Sequence, residues 1–241
     1  MNIIVVKDYK EMSRKAAKIM ASQVILKPDS ILGLATGSTP IGMYEELIRM
    51  YKNGDLDFSS VKTFNLDEYY GLNKENEQSY YNFMMKNLFK HVNVKKENIN
   101  IPDGMAMDTE KECLKYEKKI EASGGIDMQV LGIGANGHIG FNEPYESFEP
   151  ITHLVKLDEK TIKDNSRFFN SVDEVPKTAL SMGIKTIMMS KKIILLASGE
   201  SKKEAIIKTI KGKISPEVPA SILQLHKDVT FILDEKAAEE L

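Results

Sequence analysis

One cysteine, Cys113, occurs in 241 residues, so neither a disulfide framework nor a cysteine-rich metal site can be built from this chain. It stands in a charged segment from Glu110 to Glu117 that reads as helix, and a reducing, cytoplasmic setting fits. An excess of charge is also lacking: 33 basic residues against 35 acidic ones leave −2. That balance offers no general basic surface for nucleic acid, so any anion must be bound locally. Long apolar runs are missing too. The segment Met1 to Asp8 has only four consecutive apolar residues, Ile3 to Val6, far short of a signal core or a membrane span, and the expectation is that nothing exports or anchors the protein. No internal repeat, low-complexity tract or Pro/Ser-rich linker marks a boundary. Of the four histidines, His91, His153 and His226 are scattered without H-E-x-x-H or comparable spacing, and they read as surface or structural residues.

What is present is an alternation. Short apolar, β-branched runs at 3–6, 30–35, 61–66, 127–132, 193–197 and 229–233 alternate with amphipathic stretches near 8–26, 40–53, 78–91, 109–123, 200–211 and 234–240. The pattern predicts an α/β fold: an open, mainly parallel, Rossmann-like sheet with helices on both faces, in three layers. Ile193 to Ala197 is apolar throughout, as expected of a strand buried on both faces. Residues 1–241 are read as a single domain, with the Pro-punctuated, least regular region 144–190 as a candidate lid or insertion packed on the main sheet.

In such a sheet the carboxyl ends of the strands collect on one edge, where ligands bind. Four strand exits carry polar or glycine-rich signals. Leu34-Ala35-Thr36-Gly37-Ser38-Thr39-Pro40 opens a helix and could hold an anion at its N-terminus, or it is an ordinary βα turn with a Ser/Thr cap. No lysine follows the glycine, which excludes a Walker phosphate loop. Asn65-Leu66-Asp67-Glu68-Tyr69 places two carboxylates after a strand, either as a solvated acidic turn or as a general base in a cleft. Ser198-Gly199-Glu200-Ser201-Lys202-Lys203 again follows a buried strand and could add a lysine to a bound anion. Away from these exits, Arg167 in Asn165-Ser166-Arg167-Phe168-Phe169 has the planar fork that takes a phosphate bidentately.

The remaining exit, Val130 to Pro144, holds four glycines with His138 and Glu143. Gly132, Gly134 and Gly137 spell G-x-G-x-x-G after a strand, and Asp158 lies at about the distance of a ribose contact. A dinucleotide fingerprint must open a helix, however, and Ile139 to Pro144 is poor material for a first turn. The glycines are better read as bending the chain so that an imidazole and a carboxylate face one ligand, where the carboxylate fixes the tautomer and makes a proton shuttle. A metal site from His138, Glu143 and Asp67 would need a coincidence of folding.

Taken together, these stretches resemble the glucosamine-6-phosphate deaminases of the glucosamine/galactosamine-6-phosphate isomerase family, and the resemblance runs from end to end. It rests on Leu34–Pro40, Phe64–Tyr69, Gly132–Pro144, Asn165–Phe169, and Gly199 with Lys202. It implies ring opening of glucosamine 6-phosphate, isomerisation to a ketose-type imine, and release of ammonia and fructose 6-phosphate, with no cofactor and no metal. By position it implies that His138 shuttles the proton of ring opening, supported by Glu143 and Asn136, and that Asp67 takes the C2 proton. Gly37, Ser38, Thr39, Arg167 and Lys202 would hold the phosphate. The residues read on their own agree, since sugar enolisation needs a base, a proton shuttle and an anion anchor. The partner expected is the sugar phosphate, with no nucleic acid and no membrane; monomer or homo-oligomer is left open. A 6-phosphogluconolactonase-like hydrolase and a non-catalytic sugar-phosphate sensor are the alternatives.

Two departures from the family's fullest pattern stand out. Asn136 replaces an aspartate carried by many members, which leaves Glu143 as the main carboxylate partner of His138 and implies a shifted pH profile. Where allosterically activated members have basic residues, this chain has Glu146, His153 and Val155, and it ends at Leu241 without their longer tail. The expectation is a short, non-allosteric type.

Overall fold

The computed structural model describes residues 1–241, the side chain of Phe168 excepted. In chain order the elements are β1 (Asn2–Val6), α1 (Tyr9–Leu26), β2 (Ile31–Leu34), α2 (Ile41–Lys52), β3 (Lys62–Asn65), β4 (Asp67–Tyr69), α3 (Tyr80–Asn87), β5 (Ile99–Asn100), α4 (Thr109–Ala122), β6 (Met128–Leu131), β7 (His153–Lys156), α5 (Glu159–Asn165), β8 (Thr178–Ser181), α6 (Ile184–Met188), β9 (Lys192–Ala197), α7 (Lys203–Lys211) and β10 (Val229–Asp234). Seven strands form one parallel sheet in the order β1-β10-β9-β6-β2-β3-β5. The chain builds outward from β2 to β5 and then returns to place β6 on the other side of β2, so the topological switch lies between β2 and β6. Ligand crevices of open α/β sheets lie at such a point.

Helices cover both faces. Thr63 and Phe64 are neighbours in β3 and so point to opposite sides: Thr63 shares a small void with Met20 of α1 and Leu47 of α2, while Phe64 packs edge-on against Tyr116 of α4. Met12, Ala16, Ala17, Met20 and Val24 form the buried stripe of α1, with Lys10, Arg14 and Lys18 outside. Asp8 starts this helix by accepting from Glu11 N at 2.9 Å, and the turn at Lys27 ends it just before Pro28. Ile193 to Ala197 are all buried, each large side chain contributing roughly 1.5–3 kcal/mol by leaving water.

Several expectations are corrected. Residues 234–240 do not form a helix: β10 runs to Asp234 and turns follow. The Asp234 carboxylate caps a single turn through Ala237 N at 2.9 Å, and Lys203 then holds the chain down through Glu239 and Glu240. The stretch 78–91 breaks at Leu88 into α3 and a 3-10 turn, and 200–202 is likewise 3-10 before α7 begins. Asp67 is not in a loop but opens β4. That strand pairs antiparallel with β8, and β8 with β7, in a second sheet of three strands. Two of those three strands come from 144–190, so this region lies over the carboxyl edge of the main sheet. A separate apolar cluster of Tyr69, Phe141, Val155, Leu157 and Ala179 fastens it there.

Candidate active site

The four exits singled out in the sequence belong to β9, β6, β2 and β3, which are adjacent in the main sheet. Their loops therefore share one edge. At the β2 exit, Tyr44 Oη donates to Ala35 O at 2.6 Å and Tyr9 Oη to Ser38 O at 3.1 Å, which pins the loop backbone through Gly37. Pro40 stands at the N-cap of α2 with no side-chain cap. Ser38 Oγ accepts from Arg167 Nη2 at 3.4 Å, so the arginine reaches this helix start from the 3-10 turn after α5. Thr39 abuts Gly132 of the β6 exit: a Cβ placed on that glycine would be 4.0 Å from the threonine.

The two adjacent carboxylates divide. Glu68 is turned away, accepting the amides of Tyr69, Tyr80 and Tyr81, each at 2.9 Å, and so caps the first turn of α3 together with Ser79. Asp67 is 6% exposed. Burial first, and then the charge of Glu68, push its carboxyl up to about 8, against a smaller opposing effect of the Thr36 hydroxyl bonded to it. The Tyr69 ring packs against Tyr80, Phe141 and Phe169 at centroid distances of 4.7, 5.9 and 5.8 Å. It bolts β4 to the glycine-rich loop.

In that loop Gly137 N donates to Gly134 O at 3.0 Å and Gly134 N to His138 O at 2.9 Å. A Cβ on Gly134 would lie 2.4 Å from the His138 ring, so only glycine leaves room for the imidazole. Gly137 has φ +88°, and its Cβ would meet Val218 at 2.8 Å. Glu143 Oε2 accepts from Asn136 Nδ2 at 2.9 Å and lies 3.1 Å from His138 Nδ1. Its Oε1 accepts from Thr161 Oγ1 at 2.6 Å. Burial pushes the Glu143 carboxyl up, but the bond and charge of His138, then the bonds of Thr161 and Asn136, outweigh it and hold the group below its ordinary range. Glu143 is thus an anion with three partners, and His138 is left with Nε2 for a ligand. Its side chain is 18% exposed.

No helix follows Gly137 before α5, and Asp158 is the N-cap of α5, bonded to Lys160 N at 2.8 Å; the dinucleotide reading fails on both counts. At the β9 exit Gly199 adopts φ +92°, held by Asp234, which accepts its amide at 3.0 and 3.1 Å and the Ser198 hydroxyl at 2.6 Å. This geometry presents Lys202. Burial lowers the Lys202 ammonium below its usual range; Asp164 opposes that effect, and the charges of Arg167 and Lys160 add to it. Lys202 and Arg167 are thus like charges that feel one another, a repulsion that an anion between them would relieve.

Gly37, Ser38, Thr39, Asp67, Asn136, His138, Glu143, Arg167 and Lys202 all belong to this connected edge. The other histidines lie elsewhere: His226 Nε2 is 2.8 Å from Ser190 O, His91 Nε2 is 2.9 Å from Lys86 O, and His153 is 3.7 Å from Glu146. Among the described residues no three His, Cys, Asp or Glu side chains group as metal ligands would. Sequence reasoning missed Thr161 and Asp234. Each is a common polar residue far along the chain from its partner, and no local motif marks either one.

Comparisons with known proteins give the family. Residues 8–232 match the family described as glucosamine-6-phosphate isomerases/6-phosphogluconolactonase. A glucosamine-6-phosphate deaminase of Clostridium botulinum (strain Langeland) is 67% identical over 241 residues, covering 100% of this chain and 99% of that protein. One from Clostridium acetobutylicum is 66% identical with both chains covered in full, at 100%. A solved monomeric glucosamine-6-phosphate deaminase superposes with a TM-score of 0.97 at 48% identity, with 99% of each chain covered. The 6-phosphogluconolactonase from Trypanosoma brucei has a TM-score of 0.79 at 19% identity, over 100% of this chain and 98% of that one, a likeness of fold alone. The chain belongs to the glucosamine-6-phosphate isomerase/6-phosphogluconolactonase family, and its full-length likeness is to the glucosamine-6-phosphate deaminases.

Proposed function

We propose that this chain converts glucosamine 6-phosphate and water to fructose 6-phosphate and ammonia. The observation that carries the reading is the bonded set Asn136, Glu143 and His138 on the exit of β6, with buried Asp67 two strands away. His138 Nε2 takes the anomeric hydroxyl proton and returns it to the ring oxygen as the ring opens, while Glu143 balances the imidazolium charge. The Asp67 carboxylate then removes the C2 hydrogen of the open-chain aldehyde to give an enolamine. Protonation at C1 yields a C2 imine, water adds to C2, and ammonia leaves. A base whose pKa lies near the working pH is suited to this step. Gly37, Ser38, Thr39, Arg167 and Lys202 anchor the phosphate, and fixing C2 against Asp67 contributes up to roughly 7–11 kcal/mol.

We read 1–241 as one domain in which 144–190 caps the sugar site. The substrate is a small soluble anion, and no helix of the described residues is long and apolar enough to cross a membrane, so a cytoplasmic setting fits. By likeness to the solved monomeric relative, this chain acts without a partner subunit. Incubation with glucosamine 6-phosphate should release ammonia and fructose 6-phosphate in equal amounts, and Asp67→Asn should abolish both. Tight binding without ammonia would favour a sensor, and hydrolysis of 6-phosphogluconolactone in its place would favour a lactonase.

A further inference from the structure

We infer that Thr161 is a positioning residue for the proton shuttle: its hydroxyl fixes Glu143 toward His138 and ties that carboxylate to the helix that presents Arg167. The inference rests on the reading of His138 and Glu143 as the ring-opening pair. Thr161 is 4% exposed, and its Oγ1 lies 2.6 Å from Glu143 Oε1. The other oxygen, Oε2, serves both Asn136 and His138. A carboxylate held at one oxygen only could rotate about its terminal torsion, which is broad for glutamate. The Thr161 bond occupies the second oxygen and removes that freedom. A hydroxyl donating to an ionised carboxylate is among the stronger hydrogen bonds, and it favours the charged form.

Thr161 also stands on an unusual helix. Four residues later, on the same face of α5, Asn165 Nδ2 donates to Tyr69 Oη at 2.9 Å, two residues from Asp67 along β4. The 3-10 turn Ser166–Phe168 that follows brings Arg167 to Ser38. A seven-residue helix thereby links the shuttle loop, the strand of the base and the anion anchor. Groups facing Glu143 are His138 and Asn136 from its own loop and Thr161 from α5; His138 becomes its ion-pair partner when the imidazole takes up a proton. The sole polar tie from α5 to the shuttle loop among the described residues is the Thr161 hydroxyl.

The test compares Thr161→Val, which keeps the shape and removes the hydroxyl, with Thr161→Ser, which keeps the hydroxyl, and with Glu143→Gln. Ammonia release should show kcat reduced about tenfold or more in Thr161→Val, the size expected for losing a bond to a charged group. KM should stay within about twofold, because the Asn165–Tyr69 bond still docks α5 and Ser38 still bonds Arg167. Thr161→Ser should recover most of the lost kcat. A role confined to docking α5 would instead displace Arg167, raising KM with kcat kept, and that result overturns the inference. So does a well-folded Thr161→Ser about tenfold or more slower than the wild type, a result that can be read even if the valine variant fails to fold. Full activity in Glu143→Gln would instead overturn the ring-opening reading itself, and the inference with it.

Discussion

Asp67 shows how a single residue can be placed for chemistry at a cost to the fold. Its carboxyl is pushed up to about 8, first by burial and then by Glu68. The folded chain holds this proton above the range in which the unfolded chain has lost it, so between about pH 4 and pH 8 the unfolded state binds fewer protons. Stability from this group therefore declines as pH rises through that window. Asp67→Asn has no such loss, and its Tm should exceed that of the wild type at pH 8 and match it near pH 4. Each kcal/mol relieved is worth about 2–4 °C in a chain of this size. Thermal unfolding at the two pH values decides it; a variant less stable at both would show that the amide loses more in bonding than it gains. Asn136 sets a second test. Its amide donates to Glu143 at 2.9 Å, a bond that an ionised aspartate cannot make. Asn136→Asp would place two anions side by side and raise the Glu143 carboxyl, so the acid side of the kcat/KM profile should shift to higher pH. A superimposable profile would refute this.

At the scale of elements, the main sheet was legible except for its two-residue edge strand β5, which is too short to leave a pattern. The central strands stood out because burial on both faces makes them apolar, as Ile193 to Ala197 are. The exits of β2, β3, β6 and β9 were legible because glycines, carboxylates and hydroxyls follow those strands directly. The small sheet was not. β4 is Asp67-Glu68-Tyr69 and β7 is His153-Leu154-Val155-Lys156, and neither has the run or the alternation of a strand. They are held in register by β8 and by contacts between Tyr69, Phe141 and Val155, which are remote in sequence. The Thr161–Glu143 bond was hidden for the same reason. The helix expected at 234–240 failed in the opposite sense: its residues favour helix, but tertiary bonds from Lys203 and Lys211 to the chain end prevailed. Local preference is a weak prior against such contacts.

Regulation is a question for the molecule as a whole. In the loop after Glu143 the Glu146 carboxylate lies 3.7 Å from His153 Nε2, and this pair raises the histidine above its usual range in spite of burial, the largest single effect. A phosphate-bearing effector approaching this surface would meet an anion already in place. We expect a hyperbolic dependence of rate on glucosamine 6-phosphate, unchanged by N-acetylglucosamine 6-phosphate. A sigmoidal curve abolished by that compound would show that an activating site exists elsewhere.

The attachment of 144–190 to the rest of the molecule also limits how the cleft can change shape. Glu117 of α4 accepts from Thr152 N at 2.8 Å, from the Thr152 hydroxyl, and from Thr186 Oγ1 at 2.7 Å. Thr152 precedes β7 and Thr186 is in α6, so one carboxylate clasps both margins of the region that contains Arg167. A displacement of the whole region, margins included, would have to break that clasp. Any widening of the cleft that keeps this clasp is thereby confined to the span between the two threonines, so that α5 and Arg167 would move as an arch pinned at both feet.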